Sequence, residues 1–282
     1  MKNSTIIFSI ALSAISVLTL TKNVAAQKIG LQLYSLRNEF KKDVPGTLEK
    51  INSFNIKLIE GGGTYGLPMK EYQQLLKQNK LKMVSVGADF NLLDKNPEQV
   101  VENAKAFKAK YVMCAWVPHK AGDFTMQEID KAIEVFNRSG KLLAENGIKL
   151  CYHPHGYEFR PYKEGTMFDY LASKTDPKYV NFEMDVFWVK HPGQDPVALL
   201  KKYPSRFLMM HLKDRAPGTK GNQEGNAPDE TNVVLGKGDV GIAAIMAEAR
   251  KNKKIKYFFI EDESPHAAMQ IPQSLQYLET LK

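Results

Sequence analysis

Four stretches in the second half of the chain indicate the fold: 149–153 (KLCYH), 180–186 (VNFEMDV), 207–212 (FLMMHL) and 256–261 (KYFFIE). Each is a nearly continuous apolar run, which is typical of a parallel strand that is buried on both faces. Each also carries a histidine or an acidic residue at or near its end. These stretches therefore predict buried strands that deliver polar groups to one edge of a parallel sheet.

Four similar runs precede them, at 29–36 (IGLQLYSL), 56–61 (IKLIEG), 82–88 (KMVSVGA) and 111–117 (YVMCAWV). Segments with helical periodicity separate all eight runs. Eight strand–helix units in a chain of this length predict a single (β/α)8 TIM barrel over residues 27–282. A doubly wound sheet is the rival, but it would normally carry a glycine-rich fingerprint after its first strand, where Tyr34-Ser35-Leu36-Arg37 stands instead.

The first 26 residues have the three parts of a secretory signal peptide. Lys2 provides a positive start, an apolar run extends from Ile6 to Leu20, and Val24-Ala25-Ala26 offers small residues for cleavage before Gln27. The alternative is an uncleaved anchor, but the run is shorter than the roughly 20 residues that span a bilayer. We therefore expect an exported, periplasmic protein with no stable membrane insertion after cleavage.

The charge and the cysteine content of the chain indicate which partners and cross-links to expect. The chain carries a net charge of +8, but its lysines are spread along the sequence, which is typical of a solvated surface rather than of a nucleic-acid site. We therefore expect no nucleic-acid partner, and a homo-oligomer remains possible. Cys114 and Cys151 both fall inside predicted strands, and two cysteines do not make a disulfide framework. We expect buried free thiols.

The chemistry is expected at the C-terminal ends of strands five to eight, where TIM-barrel enzymes place their working side chains. Consecutive strands are neighbours, so their polar ends converge on one side of the barrel mouth. The convergent groups are imidazoles and carboxylates, a mixed set that suits Mn, Co, Zn or Fe better than Ca. The sequence therefore predicts a metal-binding site on this side of the barrel mouth.

These motifs together resemble the xylose isomerase-like TIM barrel family of the sugar phosphate isomerase/epimerase type. The matching stretches are 152–159 (YHPHGYEF), 185–188 (DVFW), 193–196 (GQDP), 211–214 (HLKD), 236–239 (GKGD) and 260–261 (IE). The resemblance implies one divalent metal ion (Mn, Co, Zn or Mg), with metal ligands at Asp185, His211 and Glu261. The epimerases of this family usually carry a glutamate at the end of strand five. His153 takes that place here, with Glu158 five residues further on, and either one could be the fourth ligand.

The resemblance also implies removal of a proton next to a carbonyl of a sugar. The candidate catalytic residues are Glu158, Glu261, His153 and Lys213. Aromatic and polar side chains near the strand ends are candidates for binding the substrate: Trp116, His119, His155, Trp188 and Arg37. A long glycine- and asparagine-rich segment, residues 216–240, follows strand seven and is expected to lie over the barrel mouth.

Four functions follow from this pattern. The first is isomerisation or epimerisation of a non-phosphorylated sugar, since phosphorylated sugars are mostly cytoplasmic. The alternative is a lyase or hydratase acting on 3-keto-glycosides, because YHPHGYEF resembles family members thought to act on oxidised glycosides. An abasic-site endonuclease is less favoured, since strands two and three end in Glu60-Gly61-Gly62-Gly63 and Gly87-Ala88-Asp89 without histidine. A non-catalytic sugar-binding barrel would be recognised by a lack of bound metal.

Overall fold

The computed structural model describes residues 28–281, and the predicted signal peptide of residues 1–26 lies outside them. Eight parallel strands close into a barrel in which each strand pairs with the next and the last pairs with the first. The strands are β1 Lys28–Gln32, β2 Leu58–Gly61, β3 Lys82–Gly87, β4 Tyr111–Cys114, β5 Lys149–Tyr152, β6 Val180–Asp185, β7 Phe207–Leu212 and β8 Tyr257–Ile260. The predicted (β/α)8 barrel is confirmed.

Helices connect the strands, as the predicted periodicity requires. They are α1 Arg37–Phe40, α2 Val44–Ser53, α3 Met69–Gln78, α4 Phe90–Lys95, α5 Pro97–Ala106, α6 Met126–Glu145, α7 Met167–Lys174, α8 Val186–Lys190, α9 Pro196–Lys202, α10 Ile242–Ala249 and α11 Ala267–Thr280. Within residues 28–281, none of the helices is both long and apolar enough to cross a membrane.

Two predicted strands, 29–36 and 111–117, extend well past the ends of the observed strands β1 and β4. Both differences lie at the barrel mouth. The side chain of Gln32 accepts a hydrogen bond from the Tyr34 amide, and residues Leu33–Leu36 form a turn of 3-10 helix instead of strand. The fourth strand ends at Cys114, so Trp116 and His119 lie in the loop that follows it. Apolar composition extended both predictions past the points where the backbone leaves the sheet.

The interior of the barrel is apolar at one end and polar at the other. Val84, Tyr111, Cys151, Met209 and Phe259 belong to a small buried cluster of strand residues. Side chains two residues apart in a strand share a face. His211 and Glu261 follow Met209 and Phe259 by two residues and therefore continue the inward face toward the mouth. Cys114 and Cys151 are buried and free, as predicted.

The long segment 216–240 lies over the mouth, as predicted, because Gly225, Asn226 and Ala227 line the cavity there. Asn232–Val233 pairs with Asp214–Arg215 in a two-stranded ribbon. The Asp214 carboxylate anchors the end of the segment by accepting hydrogen bonds from the backbone amides of Gly236 (2.8 Å), Gly238 (3.1 Å) and Val240 (3.2 Å). The GKGD stretch thus holds the loop in place.

Candidate metal centre and active site

Three of the predicted ligands meet at the C-terminal ends of adjacent strands. Asp185 on β6 is in register with His211 on β7, and His153 follows β5 directly. Oδ2 of Asp185 lies 3.7 Å from Nε2 of His153 and 4.0 Å from Nδ1 of His211. Ligand atoms about 2.1 Å from a common ion lie roughly 3 to 3.5 Å apart, so a small contraction would close this group around a cation.

Two of the three residues of this group, His153 and Asp185, have donor atoms without a hydrogen-bond partner. Asp185 divides its carboxylate between two tasks: Oδ1 caps α8 by accepting from the amides of Phe187 (2.7 Å) and Trp188 (3.1 Å), and Oδ2 has no hydrogen-bond partner. Both ring nitrogens of His153 are also buried without a partner. Burial lowers the pKa of His153 well below its usual range, so the imidazole is neutral, as a metal ligand must be. These residues fit a divalent cation.

The other ring nitrogen of His211, Nε2, contacts a second group of acidic residues that was not predicted from the sequence. Nε2 of His211 lies 2.6 Å from Oε1 of Glu60 and 3.4 Å from Oε1 of Glu183. Gln32 donates to the same Glu60 oxygen at 2.8 Å. Burial raises the pKa of Glu183 well above its usual range, and the neighbouring Glu60 adds to this. The available signal in the sequence was Glu60, an acidic residue near the end of the otherwise apolar β2.

Glu261 and Lys213 form the side of the site next to His211. Oε2 of Glu261 lies 3.1 Å from Nδ1 of His211 and 3.9 Å from Nζ of Lys213. Lys213 also pairs with Glu263. Burial disfavours the charge on Lys213, but the carboxylates of Glu263 and Glu261 outweigh it and raise the pKa of the ammonium. Lys213 is therefore a buried cation beside the predicted ligand Glu261.

Glu158 is the one predicted ligand that the structure places away from the others. Its carboxylate accepts from the Tyr152 hydroxyl and from the backbone amides of His155 (3.2 and 3.1 Å) and Gly156 (2.9 Å). Burial raises the pKa of Glu158 to about 7, although those hydrogen bonds act to lower it. Both oxygens are thus occupied, and the residue shapes the segment that follows β5. Of the two candidates for the fourth ligand, only His153 lies in the group with Asp185 and His211.

A cavity of about 680 Å³ opens above the group, within the range of roughly 300–1,000 Å³ that small-molecule pockets span. Four of the five predicted substrate-binding residues line it, together with His153 and Glu261: Arg37, Trp116, His155 and Trp188. The fifth, His119, supports the wall from behind, since its ring stacks on Trp116 with centroids 4.8 Å apart and its Nδ1 lies 2.8 Å from the Val117 carbonyl oxygen.

The protein is thus a TIM barrel with imidazole and carboxylate groups at its C-terminal mouth, where they form a candidate metal centre. The chain belongs to the xylose isomerase-like TIM barrel family, whose model matches residues 48–281. The predicted family is thereby confirmed.

Named relatives agree with this assignment. An inosose dehydratase of Mesomycoplasma hyopneumoniae (strain 7448) is 27% identical over 190 residues, which cover 66% of this chain and 58% of the relative. One from Clostridium botulinum (strain Alaska E43 / Type E3) is 35% identical over 194 residues, covering 67% and 60%. The matches thus span about three-fifths of these curated relatives. A solved structure from Parabacteroides distasonis ATCC 8503, named as a sugar phosphate isomerase/epimerase, has a TM-score of 0.73 at 25% identity and covers 90% of this chain and 98% of that one.

Proposed function

We propose that this protein is a divalent-metal-dependent enzyme that removes a proton next to the carbonyl of a non-phosphorylated sugar or a related polyhydroxylated ring. The observation that carries the proposal is the meeting of His153, Asp185 and His211 below a cavity of substrate size, with the donor atoms of His153 and Oδ2 of Asp185 unpartnered. A bound cation would act as a Lewis acid on the carbonyl oxygen and so make the adjacent C–H more acidic.

The chain's own groups divide the proton transfers. Glu261 lines the cavity beside the metal group, so its carboxylate is placed to accept the proton from carbon. Lys213 is a buried cation 3.9 Å from Glu261, and we assign to it the proton that leaves with the departing oxygen. His155 also faces the cavity, and its Nδ1 has no hydrogen-bond partner, so it can bind a substrate hydroxyl.

Elimination is the reaction we favour. Epimerisation needs acid/base groups on both faces of the substrate, and a second glutamate usually supplies this in the family's epimerases. His153 stands at that position here, and Glu158 is engaged elsewhere. Elimination needs one base and one acid: the C–H proton leaves to the base, a C–O bond breaks at the next carbon, and the oxygen departs with a proton. The name dehydratase on the curated relatives supports the same choice.

Isomerisation or epimerisation is the second candidate, supported by the name of the Parabacteroides distasonis structure. The predicted signal peptide supports a non-phosphorylated substrate in either case, because export to the periplasm removes the protein from most sugar phosphates.

Deuterium exchange tests the function and separates the two reactions. Metal-loaded protein is incubated in D2O with a keto sugar, its glycosides and a keto cyclitol, and the products are followed by NMR and mass spectrometry. Elimination gives an unsaturated ketone and a released alcohol or water. Epimerisation conserves the formula and places deuterium next to the carbonyl. If neither reaction occurs with bound metal on any of these substrates, the proposed function is refuted.

A further inference from the structure

We infer that the barrel mouth contains an outer subsite for a second ring that is attached to the reacting one, so that the preferred substrate is a glycoside rather than a single sugar. This inference rests on the proposed function for the reacting ring, and on a separate set of residues for the second ring. The outer subsite is defined by Tyr34, Tyr65 and Trp116, with a floor made by Gly62 and Gly87.

The first observation is where the exposed aromatic residues lie. In the part of the chain that the structure describes, the large hydrophobic residues that face solvent are Tyr34 (53% exposed), Trp116 (42%), Tyr65 (37%) and Met269 (63%). All three aromatic residues line the mouth cavity, and Met269 does not. Exposed aromatic surface gathered in one cavity indicates a binding surface rather than random exposure.

The second observation is that each ring is supported on one side. Tyr65 lies parallel to Phe40 with centroids 4.0 Å apart. The guanidinium of Arg37 lies 4.6 Å from the centre of the Tyr34 ring, and Asp229 holds that guanidinium at 2.6 Å. Trp116 is stacked on His119. Rings held in this way lose little freedom on binding and offer flat apolar surfaces, which suit the C–H face of a sugar or an aromatic aglycone.

Tyr65 also has an unusual backbone. Its φ angle is 53°, in the left-handed region that bulky residues rarely adopt. A strained residue of this kind persists only where the surrounding structure enforces it, and such residues cluster at functional sites. The strain places an aromatic ring at the cavity wall after β2, where glycine would have been easier to accommodate.

The third observation is the division of the cavity. The metal group and Glu261 lie at the ends of β5 to β8, whereas the aromatic residues follow β1, β2 and β4. Gly61, Gly62, Gly63 and Gly87 also line the cavity, and they present only backbone to it. A Cβ atom added at Gly62 would have only the backbone of Gly87 within 4 Å, at 3.9 Å or more. The cavity therefore has a polar reacting side and a flat, open aromatic side, and together they fit two linked rings.

The binding test uses metal-loaded protein and non-reacting probes: methyl β-glucopyranoside, 4-nitrophenyl β-glucopyranoside and cellobiose, measured by calorimetry. We expect at least one two-ring probe to bind roughly tenfold more tightly than the methyl glycoside, the effect of about 1.4 kcal/mol of additional contact. Tyr34→Ala should remove most of that preference, and Gly62→Leu, which fills the floor, should remove it as well. Met269→Ala is the matched control and should keep it.

The result separates this inference from the proposed function. A two-ring preference that disappears in Tyr34→Ala and Gly62→Leu supports the outer subsite even if the protein causes no proton exchange in D2O. Equal binding of the one-ring and two-ring probes, or a preference that both variants retain, overturns the outer subsite even if proton exchange occurs. Circular dichroism of each variant excludes loss of folding as the cause.

Discussion

Asp185 combines a structural task and a chemical one in a single carboxylate, and the two can be separated. Oδ1 caps α8, whereas Oδ2 points to His153 and His211. Asp185→Asn keeps an oxygen for the cap but replaces the free oxygen by an amide nitrogen, which cannot bind a cation. We expect metal affinity to fall by roughly a hundredfold or more, beyond the 10- to 100-fold typical of changes outside the ligand shell.

Asp195 offers a matched control for this substitution. It caps α9 in the same way, by accepting from the Val197 amide at 2.8 Å. Asp195→Asn should leave metal affinity unchanged. Equilibrium dialysis with metal analysis measures both variants, and stoichiometric metal at wild-type affinity in Asp185→Asn would remove Asp185 from the site.

Glu60 acts on the same centre through His211. A carboxylate that accepts the outer N–H of a metal-binding histidine fixes the tautomer and the ring orientation. Glu60 lies 2.6 Å from Nε2, so a cation would bind at Nδ1 in place of the contact that this nitrogen makes with Glu261. Glu60→Gln should therefore weaken metal binding by about 10- to 100-fold with all ligands present. Absorption spectra of the Co-substituted protein should show an altered ligand field, which a change in overall stability alone would not produce.

Glu183→Gln is the comparison for Glu60→Gln, since both residues are fully buried and adjacent to His211. The Glu183 carboxylate lies further from Nε2, at 3.4 Å, and its raised pKa makes it resemble the neutral amide. We expect a smaller effect on metal affinity. Equal effects of the two substitutions would show that the buried acids act together and that Glu60 has no special role in orienting the ring.

At the scale of elements, Glu158 organises the segment between β5 and α7. Its oxygens satisfy the backbone amides of His155 and Gly156 and the Tyr152 hydroxyl. A side-chain amide can accept hydrogen bonds at its oxygen but not at its nitrogen. Glu158→Gln should therefore lower the free energy of unfolding by about 1–2 kcal/mol and Tm by roughly 2–8 °C. Metal content should be retained. Glu164→Gln, on the exposed turn nearby, is the control and should change neither quantity.

Loss of metal from a folded Glu158→Gln variant would contradict the structural role of Glu158 and would identify it as a metal ligand. Calorimetric unfolding together with metal analysis of the same samples distinguishes the outcomes, because a ligand role removes the metal whereas a supporting role lowers Tm.

The elements also show what the sequence could predict. Alternation of apolar runs with helical periodicity was sufficient for the eight strands, and the strand order then placed His153, Asp185 and His211 together. The direction of a side chain after a strand end was not predictable in this way. The Glu158 carboxylate binds within its own loop because three hydrogen-bond donors lie close to it there. Glu60 contacts His211 across the barrel because the pairing of β1 with β2 brings Gln32 and Glu60 together. Such choices depend on tertiary contacts.

At the scale of the whole molecule, the predicted export would determine which substrates the protein meets. The charged start, the apolar run and Val24-Ala25-Ala26 predict cleavage that leaves Gln27 at the N-terminus. Mass spectrometry of protein from the native host should find that terminus in the periplasmic fraction. Protein with an intact Met1 in the cytoplasm would contradict the prediction and would return phosphorylated sugars to consideration.

The barrel as a whole concentrates acidic and imidazole groups at one end, and the two candidate metal-binding groups found among residues 28–281 share His211. Anomalous diffraction from crystals grown with Mn, Co or Zn locates the cation directly. We predict one strong peak in contact with His153, Asp185 and His211, on the cavity side of the imidazole. A peak between Glu60 and Glu183 with none beside Asp185, or no peak in crystals of metal-saturated protein, would contradict it.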